Sequence, residues 1–317
     1  MRVTNSMMVN NMMRNMTKNL NRMEKTQQYL ATGKKFVNPS DDPIGVSRSL
    51  RLNTEISNMD QYKRNIEDGL SWLETTETAV GNVGEVLKRA KELVIQGTNE
   101  TYSGEQRKAI AKEIRQLKEQ LISIGNMNYA GSYIFSGFKT DKPLLDSNGD
   151  YDLGGGTLGI NENINFNVGY GDAIGINFVG QKIFGVGDYT AALNNNSDAA
   201  STDPAQLIGV FDQLIADLEV DPDGDTTGIN AALDRIEVFL DNTNTVRAEI
   251  GVKTNRLELT LQRIEDDIVN LKTLLSNNED ADISEVIMNL KMEENVYRAS
   301  LAGGARIIMP SLIDFIS

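Results

Sequence analysis

The sequence predicts a mainly α-helical protein with a β-rich insertion at mid-chain. Apolar residues recur at coiled-coil spacing through both outer thirds of the chain. By contrast, the segment from Gly149 to Gly187 holds eleven glycines and alternates apolar with polar residues. Because both outer seams must be buried, we expect the chain ends to return and pack side by side. The expected form is an elongated rod of long antiparallel helices with a small β module at one end.

These patterns predict five segments. The two end segments are assigned to assembly, the next two inward to the halves of a helical rod, and the middle one to the β module. The predicted bounds are 1–42 for the N-terminal assembly segment, 43–140 and 201–279 for the rod, 141–200 for the β module, and 280–317 for the C-terminal assembly segment.

The first helix carries an apolar seam that no nearby segment can cover. Seven of the twelve methionines lie in the first 23 residues, and methionine suits surfaces that must adapt to a partner. The seam therefore packs against a distant segment or another chain, although an ordinary helix core stays an alternative. Its predicted members are Val9, Met13, Met16, Leu20, Met23, Gln27 and Leu30.

A break and a second helix start follow. Gly33 can adopt a positive φ at a helix end, and Asp42-Pro43 pairs a carboxylate N-cap with proline at the first helical position. The second helix should continue to about Gln96, with Gly81 and Gly84 as the expected places for a bend or break.

The remaining elements follow from shorter signals. A capping box at 103–106 predicts a third helix that folds back on the second. Alternation over 164–170 and 174–178 predicts short antiparallel strands, and Asp203-Pro204 predicts another helix start. A long seam over 229–275 and a last helix over about 282–302 complete the pattern.

Composition excludes several functions. The chain contains no His and no Cys, which removes the usual nucleophile–base pairs and zinc sites, so we predict no catalytic residue, cofactor or metal. The net charge of −14, with interleaved basic residues, argues against nucleic acid. No apolar run is long enough to span a membrane or to form a signal peptide. An enzyme that uses carboxylates is disfavoured but stays open.

Two acidic clusters resemble calcium loops but are better explained as turns. The cluster at 221–225 lacks the Gly and Glu that an EF-hand needs at its sixth and twelfth positions. The cluster at 146–152 combines Asp and Asn residues with Gly149, which is the usual composition of a turn. We predict turns at both places.

Four motifs in order resemble the flagellins and their hook-associated relatives. The first two are Gly33-Lys-Lys-Phe-Val-Asn-Pro-Ser-Asp-Asp-Pro43 and the helical segment 87–96. The third is Gly131-Ser-Tyr-Ile-Phe-Ser-Gly137, and the fourth is the C-terminal pair of Ala-Ser-Leu at 299–301 and Ser-Leu-Ile-Asp-Phe at 311–315. The resemblance covers both outer thirds. Within the family, Asp-Asp-Pro and the two chain ends look more like the hook-associated members than the flagellins.

The resemblance implies a structural subunit that joins hook to filament. It also implies export by the flagellar type III apparatus without a cleaved signal, and a location in the extracellular flagellum. Expected partners are neighbouring copies, the adjacent hook-associated protein, flagellin and a cytoplasmic export chaperone. The alternatives are flagellin itself, which forms the filament, and a cytoplasmic coiled-coil adaptor.

The candidate assembly residues lie in the two end segments and the first break. They are Met13, Met16, Leu20, Met23, Gly33, Asn38, Asp41, Asp42, Pro43, Leu290, Tyr297, Leu301, Leu312 and Phe315.

Overall fold

The computed structural model describes residues 5–98, 104–219 and 227–308. It confirms a mainly α-helical chain with long helices from both ends and a small strand module between them. The helices are α1 (Asn5–Thr32), α2 (Pro43–Gly97), α3 (Gly104–Gly125), α4 (Gln181–Phe184), α5 (Gln206–Glu219), α6 (Thr227–Glu279) and α7 (Ile283–Ile308).

The strands are short and pair only in twos. They are β1 (Asn128–Tyr129), β2 (Ser132–Tyr133), β3 (Thr157–Leu158), β4 (Asn165–Gly169), β5 (Asp172–Gly175) and β6 (Ala199–Ala200). Antiparallel pairing joins β1 to β2, β3 to β6, and β4 to β5. The β4–β5 hairpin matches the predicted alternation, and Gly171 supplies the positive φ that its turn requires.

The chain forms two compact units. One unit contains residues 1–60 and 266–317, and the other contains residues 61–265. In the second unit α2 runs antiparallel to α6, because ion pairs join Lys63 to Glu265 and Lys91 to Glu237. The predicted seam of α2 forms its core: Ile66, Leu73, Val80, Leu87 and Val94 are fully buried.

The expected break near Gly81 and Gly84 was wrong. Helix α2 continues through both glycines for 55 residues. The cost of a helical glycine is only about 1 kcal/mol relative to alanine. Here Val80, Val83 and Leu87 are buried around the two positions, so tertiary packing outweighs the weak local preference.

The acidic cluster at 146–152 is a turn, as predicted. The Asp146 Oδ1 atom accepts hydrogen bonds from the backbone N–H groups of Asn148, Gly149 and Asp150, at 2.8, 2.8 and 2.9 Å. The cluster at 221–225 and the first residue of the 103–106 capping box lie outside the described residues.

Candidate assembly surface

The two end helices pack against each other through small and polar side chains. The Thr26 hydroxyl donates to Glu293 Oε2 at 2.9 Å, and the Asn19 amide donates to Ser300 Oγ at 3.3 Å. Further along, a Cβ atom on Gly304 would collide with the Met12 side chain. The contact between α1 and α7 is therefore close at one end and hydrogen-bonded in the middle.

The observed seam of α1 differs from the predicted one at alternate positions. Val9, Met16, Met23 and Leu30 are partly buried, as expected. Between them, however, the contact positions are Met12, Asn19 and Thr26. The prediction placed Met13, Leu20 and Gln27 at these steps, whereas α7 presents Glu293 to Thr26, Ser300 to Asn19 and Gly304 to Met12.

Several large apolar side chains of both helices lie outside the α1–α7 contact. Met13 is 57% exposed and Leu20 is 38% exposed. On α7 the contact side is formed by Leu290, which is buried, and Tyr297, which is half-buried, whereas Leu301 is 44% exposed. We call the exposed set the outer apolar residues: Met7, Met8, Met13, Leu20, Ile283, Ile287, Met288, Met292, Val296 and Leu301.

The turns that follow α1 and α6 are joined by a short backbone clip, formed by residues 33–35 and 279–281. The Lys35 N–H donates to the Glu279 carbonyl at 2.7 Å, and the Ala281 N–H donates to the Gly33 carbonyl at 2.8 Å. The Lys34 ammonium also pairs with the Glu279 carboxylate, which is buried. Gly33 has φ +70°, so the predicted left-handed helix end is confirmed.

Asp41 and Asp42 hold the turn between α1 and α2. Asp41 accepts hydrogen bonds from the Lys25 ammonium at 2.8 Å and from the Asn38 N–H at 3.3 Å. The hydrogen bond from Lys25 is the main cause that lowers the pKa of Asp41. Asp42 Oδ1 accepts from the N–H groups of Ile44 and Gly45 at 3.1 and 3.0 Å, which confirms the predicted N-cap ahead of Pro43.

Replacing the cap should weaken the start of α2. We expect Asp42→Ala to destabilise the unit of residues 1–60 and 266–317 by about 1 kcal/mol, because two N–H groups lose their acceptor. Guanidinium unfolding followed by circular dichroism measures the change. Glu55→Ala, an exposed mid-helix substitution, is the matched control and should change stability by a few tenths of a kcal/mol. Equal effects of the two substitutions would contradict the cap.

Adjacent glycines in α7 provide a direct test of the α1–α7 contact. A side chain at Gly304 meets Met12, whereas one at Gly303 meets nothing within 4 Å. We expect Gly304→Val to cost about 1–3 kcal/mol more than Gly303→Val, since overpacking forces the helices apart. Hydrogen exchange of the α1 amides should be roughly tenfold faster in Gly304→Val. Identical exchange in both variants would show that the helices do not depend on this contact.

The sequence did not predict several of the residues that form these contacts. Glu279, Glu293 and Gly304 lie far along the chain from their partners and show no local motif. For the contact positions of α1, the only signal in the sequence was that the polar residues Asn19 and Thr26 lie one position from the predicted seam. Two predicted assembly residues, Leu312 and Phe315, lie outside the described residues.

Two kinds of site were not found among the described residues. Within residues 5–98, 104–219 and 227–308, no cluster of three or more acidic side chains is placed to hold a metal ion. None of the helices in these ranges combines the length and apolar character needed to cross a membrane. What the described surface does offer is the set of outer apolar residues.

Exposed apolar side chains on both end helices mark a surface for interaction with other protein chains, so the fold and this surface define the class of proteins that bind other protein chains. Two families match the sequence and together cover most of it. The bacterial flagellin N-terminal helical region matches residues 3–140, and the bacterial flagellin C-terminal helical region matches residues 233–315. The chain belongs to the flagellin family, whose members are structural proteins of the flagellum.

Individual relatives include both branches of this family. Flagellar hook-associated protein 3 of Escherichia coli K12 is 29% identical, over 95% of each chain. A flagellin of Halalkalibacterium halodurans is 26% identical, over 91% of this chain and 89% of its own. The solved structure of a flagellar hook-associated protein from Vibrio parahaemolyticus shares the fold, with a TM-score of 0.64 at 24% identity. It aligns over 76% of this chain and all of its own.

Proposed function

We propose that this chain is the structural subunit that joins the flagellar hook to the filament. The main support for the proposal is the set of outer apolar residues, because a helix pair with ten exposed Met, Ile, Val and Leu side chains needs further partners. The resemblance to hook-associated protein 3 over nearly the full length of both chains favours the junction over the filament.

The candidate residues divide into two roles in this proposal. Met16, Met23, Leu290 and Tyr297 hold α1 and α7 together, since they are buried or half-buried. Met13, Leu20 and Leu301 contact neighbouring copies, since they remain exposed. Gly33, Asn38, Asp41, Asp42 and Pro43 fix the turn between α1 and α2.

The proposed partners follow from the same exposed surface. Neighbouring copies cover the outer apolar residues in the assembled state, and the adjacent hook-associated protein and flagellin cover those at the two ends of the assembly. Before assembly an export chaperone in the cytoplasm shields them, because exposed apolar surface of this kind promotes aggregation. Export through the flagellar apparatus, without a cleaved signal, then places the chain outside the cell.

Localisation on whole flagella tests this function. An epitope-tagged copy is expressed in cells that lack their own copy, and gold-labelled antibody is viewed by electron microscopy. The proposal predicts restored motility and a narrow band of label at the boundary of hook and filament. Label along the whole filament would instead identify the chain as flagellin, the second candidate, which the 26% identical flagellin relative supports. Label confined to the cytoplasm would favour an adaptor.

A further inference from the structure

The two compact units differ sharply in charge. Residues 61–265 contain 31 acidic and 18 basic residues, whereas residues 1–60 and 266–317 contain 14 acidic and 13 basic residues. Nearly all of the net charge of −14 therefore lies on the unit of residues 61–265. Copies of that unit placed side by side repel one another unless oppositely charged surfaces meet.

One surface of α6 differs in charge from the rest of this acidic unit. Over residues 252–263 the exposed charged side chains are Arg256, Glu258 and Arg263, whereas Lys253 lies over the Phe178 ring. Six of its residues line a shallow groove of about 390 Å³, and two of them, Val252 and Leu259, are apolar side chains that are each 69% exposed. We call this surface the α6 patch, formed by Val252, Arg256, Leu259 and Arg263.

The β4–β5 hairpin holds the patch in place. Arg256 donates to Asp172 Oδ1 at 2.9 Å, so the guanidinium is fixed at the edge of the groove. The hairpin turn beside Asp172 carries Tyr170, which is 96% exposed and is the most exposed large apolar side chain described. Exposed tyrosine and arginine side chains are enriched in protein interfaces.

The opposite charge lies on α2. Residues 65–87 contain no Lys or Arg and five exposed acidic residues. Three of them pair within the chain: Glu67 with Lys63, Glu77 with Arg247, and Glu85 with Lys88. Asp68 and Glu74 have no ion-pair partner among the described residues, so they carry the uncompensated charge. We call residues 65–87 the α2 acidic stretch.

The α6 patch and the α2 acidic stretch lie at the same height along the antiparallel pair of α2 and α6. Lys63 bonds to Glu265 at 2.6 Å and Arg247 reaches Glu77 at 3.5 Å. Residues 63–77 of α2 therefore run beside residues 247–265 of α6. Copies that stand side by side without an axial offset would bring the α2 acidic stretch of one to the height of the α6 patch of the next.

We propose that the α6 patch of each copy docks on the α2 acidic stretch of a neighbouring copy. The inference rests on the proposed function, because only a subunit that assembles side by side brings the two surfaces together. Single exposed ion pairs contribute little, typically 0.2–1 kcal/mol. The contact therefore also depends on covering Val252 and Leu259. Two different surfaces meet, so the contact repeats from copy to copy around the assembly.

Disulfide trapping tests the contact directly, because the chain has no cysteine of its own. Cells lacking their own copy co-express one chain with Asp68→Cys and another with Leu259→Cys, and isolated flagella are then oxidised. We expect a dimer-sized band on non-reducing gels. The matched control replaces Leu259→Cys with Val238→Cys, which is 48% exposed on the same helix and should give no dimer. Incorporation of both chains without a 68–259 dimer would overturn the inference.

Charge reversal provides a second, independent measurement. Arg263→Glu should reduce the trapped 68–259 dimer several-fold, and Glu74→Lys in the same chains should restore it. Lys108→Glu on α3, an equal change of charge elsewhere, should leave the dimer unchanged. Absence of the unmodified chain from flagella would contradict the proposed function itself, whereas its presence with no effect of Arg263→Glu would contradict only the docking surface.

Discussion

Removing residues 303–317 is expected to abolish incorporation into flagella while the unit of residues 61–265 stays folded. The deletion takes the part of α7 that meets Met12 at Gly304, so the α1–α7 pair loses one end of its contact. None of the deleted residues belongs to the unit of residues 61–265. Gold labelling of the tagged variant measures incorporation, and we expect it to fall below detection.

The chain supplies its own folding control for this deletion. Its single tryptophan, Trp72, lies on α2 in the unit of residues 61–265 and packs edge-on against Tyr129, with ring centroids 5.9 Å apart. Thermal unfolding followed by Trp72 fluorescence should have the same midpoint in the deleted and full-length chains. Normal incorporation, or a loss of the Trp72 transition, would refute the separation of roles between the two units.

Gln206→Glu is expected to destabilise the unit of residues 61–265 by roughly 3 kcal/mol, although the two side chains have the same shape. Gln206 is buried, and its amide nitrogen donates to three backbone carbonyls, those of Asp188, Ala191 and Ala192, at 3.0–3.1 Å. A carboxylate would place an oxygen against those carbonyls. The Trp72 unfolding midpoint measures the loss.

The effect of Gln206→Glu should also depend on pH. Burial beside carbonyl oxygens raises the pKa of the new carboxyl above its unfolded value, so the folded chain favours the protonated form. The destabilisation is therefore largest at pH 8 and shrinks toward pH 5 as the carboxyl takes up a proton. Gln116→Glu on the exposed side of α3 is the control and should have little effect at either pH. A pH-independent loss would contradict the role of the three carbonyl contacts.

Local signals in the sequence predicted much of this fold correctly. The cap at Asp42, the left-handed Gly33 and the hairpin of residues 165–175 each depend on residues close together in the chain. For such features side-chain chemistry and backbone geometry are enough. The long seams of α2 and α6 were equally predictable, because their apolar residues repeat over many turns.

Features that depend on distant residues could not be predicted in the same way. The clip joins Lys35 to Glu279, residues with no common local motif, and its hydrogen bonds become visible only in the folded chain. In α1 the spacing indicated the right helix, but the choice between Met13 and Met12 as a contact depends on Gly304 of α7. The spacing in one helix leaves adjacent positions such as these undecided, whereas the partner helix determines which residue fits.

The assembly surface was only partly predictable from the sequence. The sequence indicated that α1 and α7 carry more apolar side chains than one helix pair can bury. It did not indicate which of them remain outside, because the polar residues Asn19, Thr26 and Ser300 also occupy positions in the contact. The exposure of Met13 and Leu301 follows from that polar contact.

Limited proteolysis of the same chain before and after assembly tests the central claim most directly. Trypsin sites lie on both end helices, at Arg14 and Lys18 of α1 and at Lys291 and Arg298 of α7, and all four side chains are exposed. Mass spectrometry of the fragments reports which sites are cut. If neighbouring copies cover these helices, all four sites are cut in the purified chain and protected in isolated flagella. Equal protection of the purified chain, or equal cleavage in flagella, would contradict assembly through the end helices.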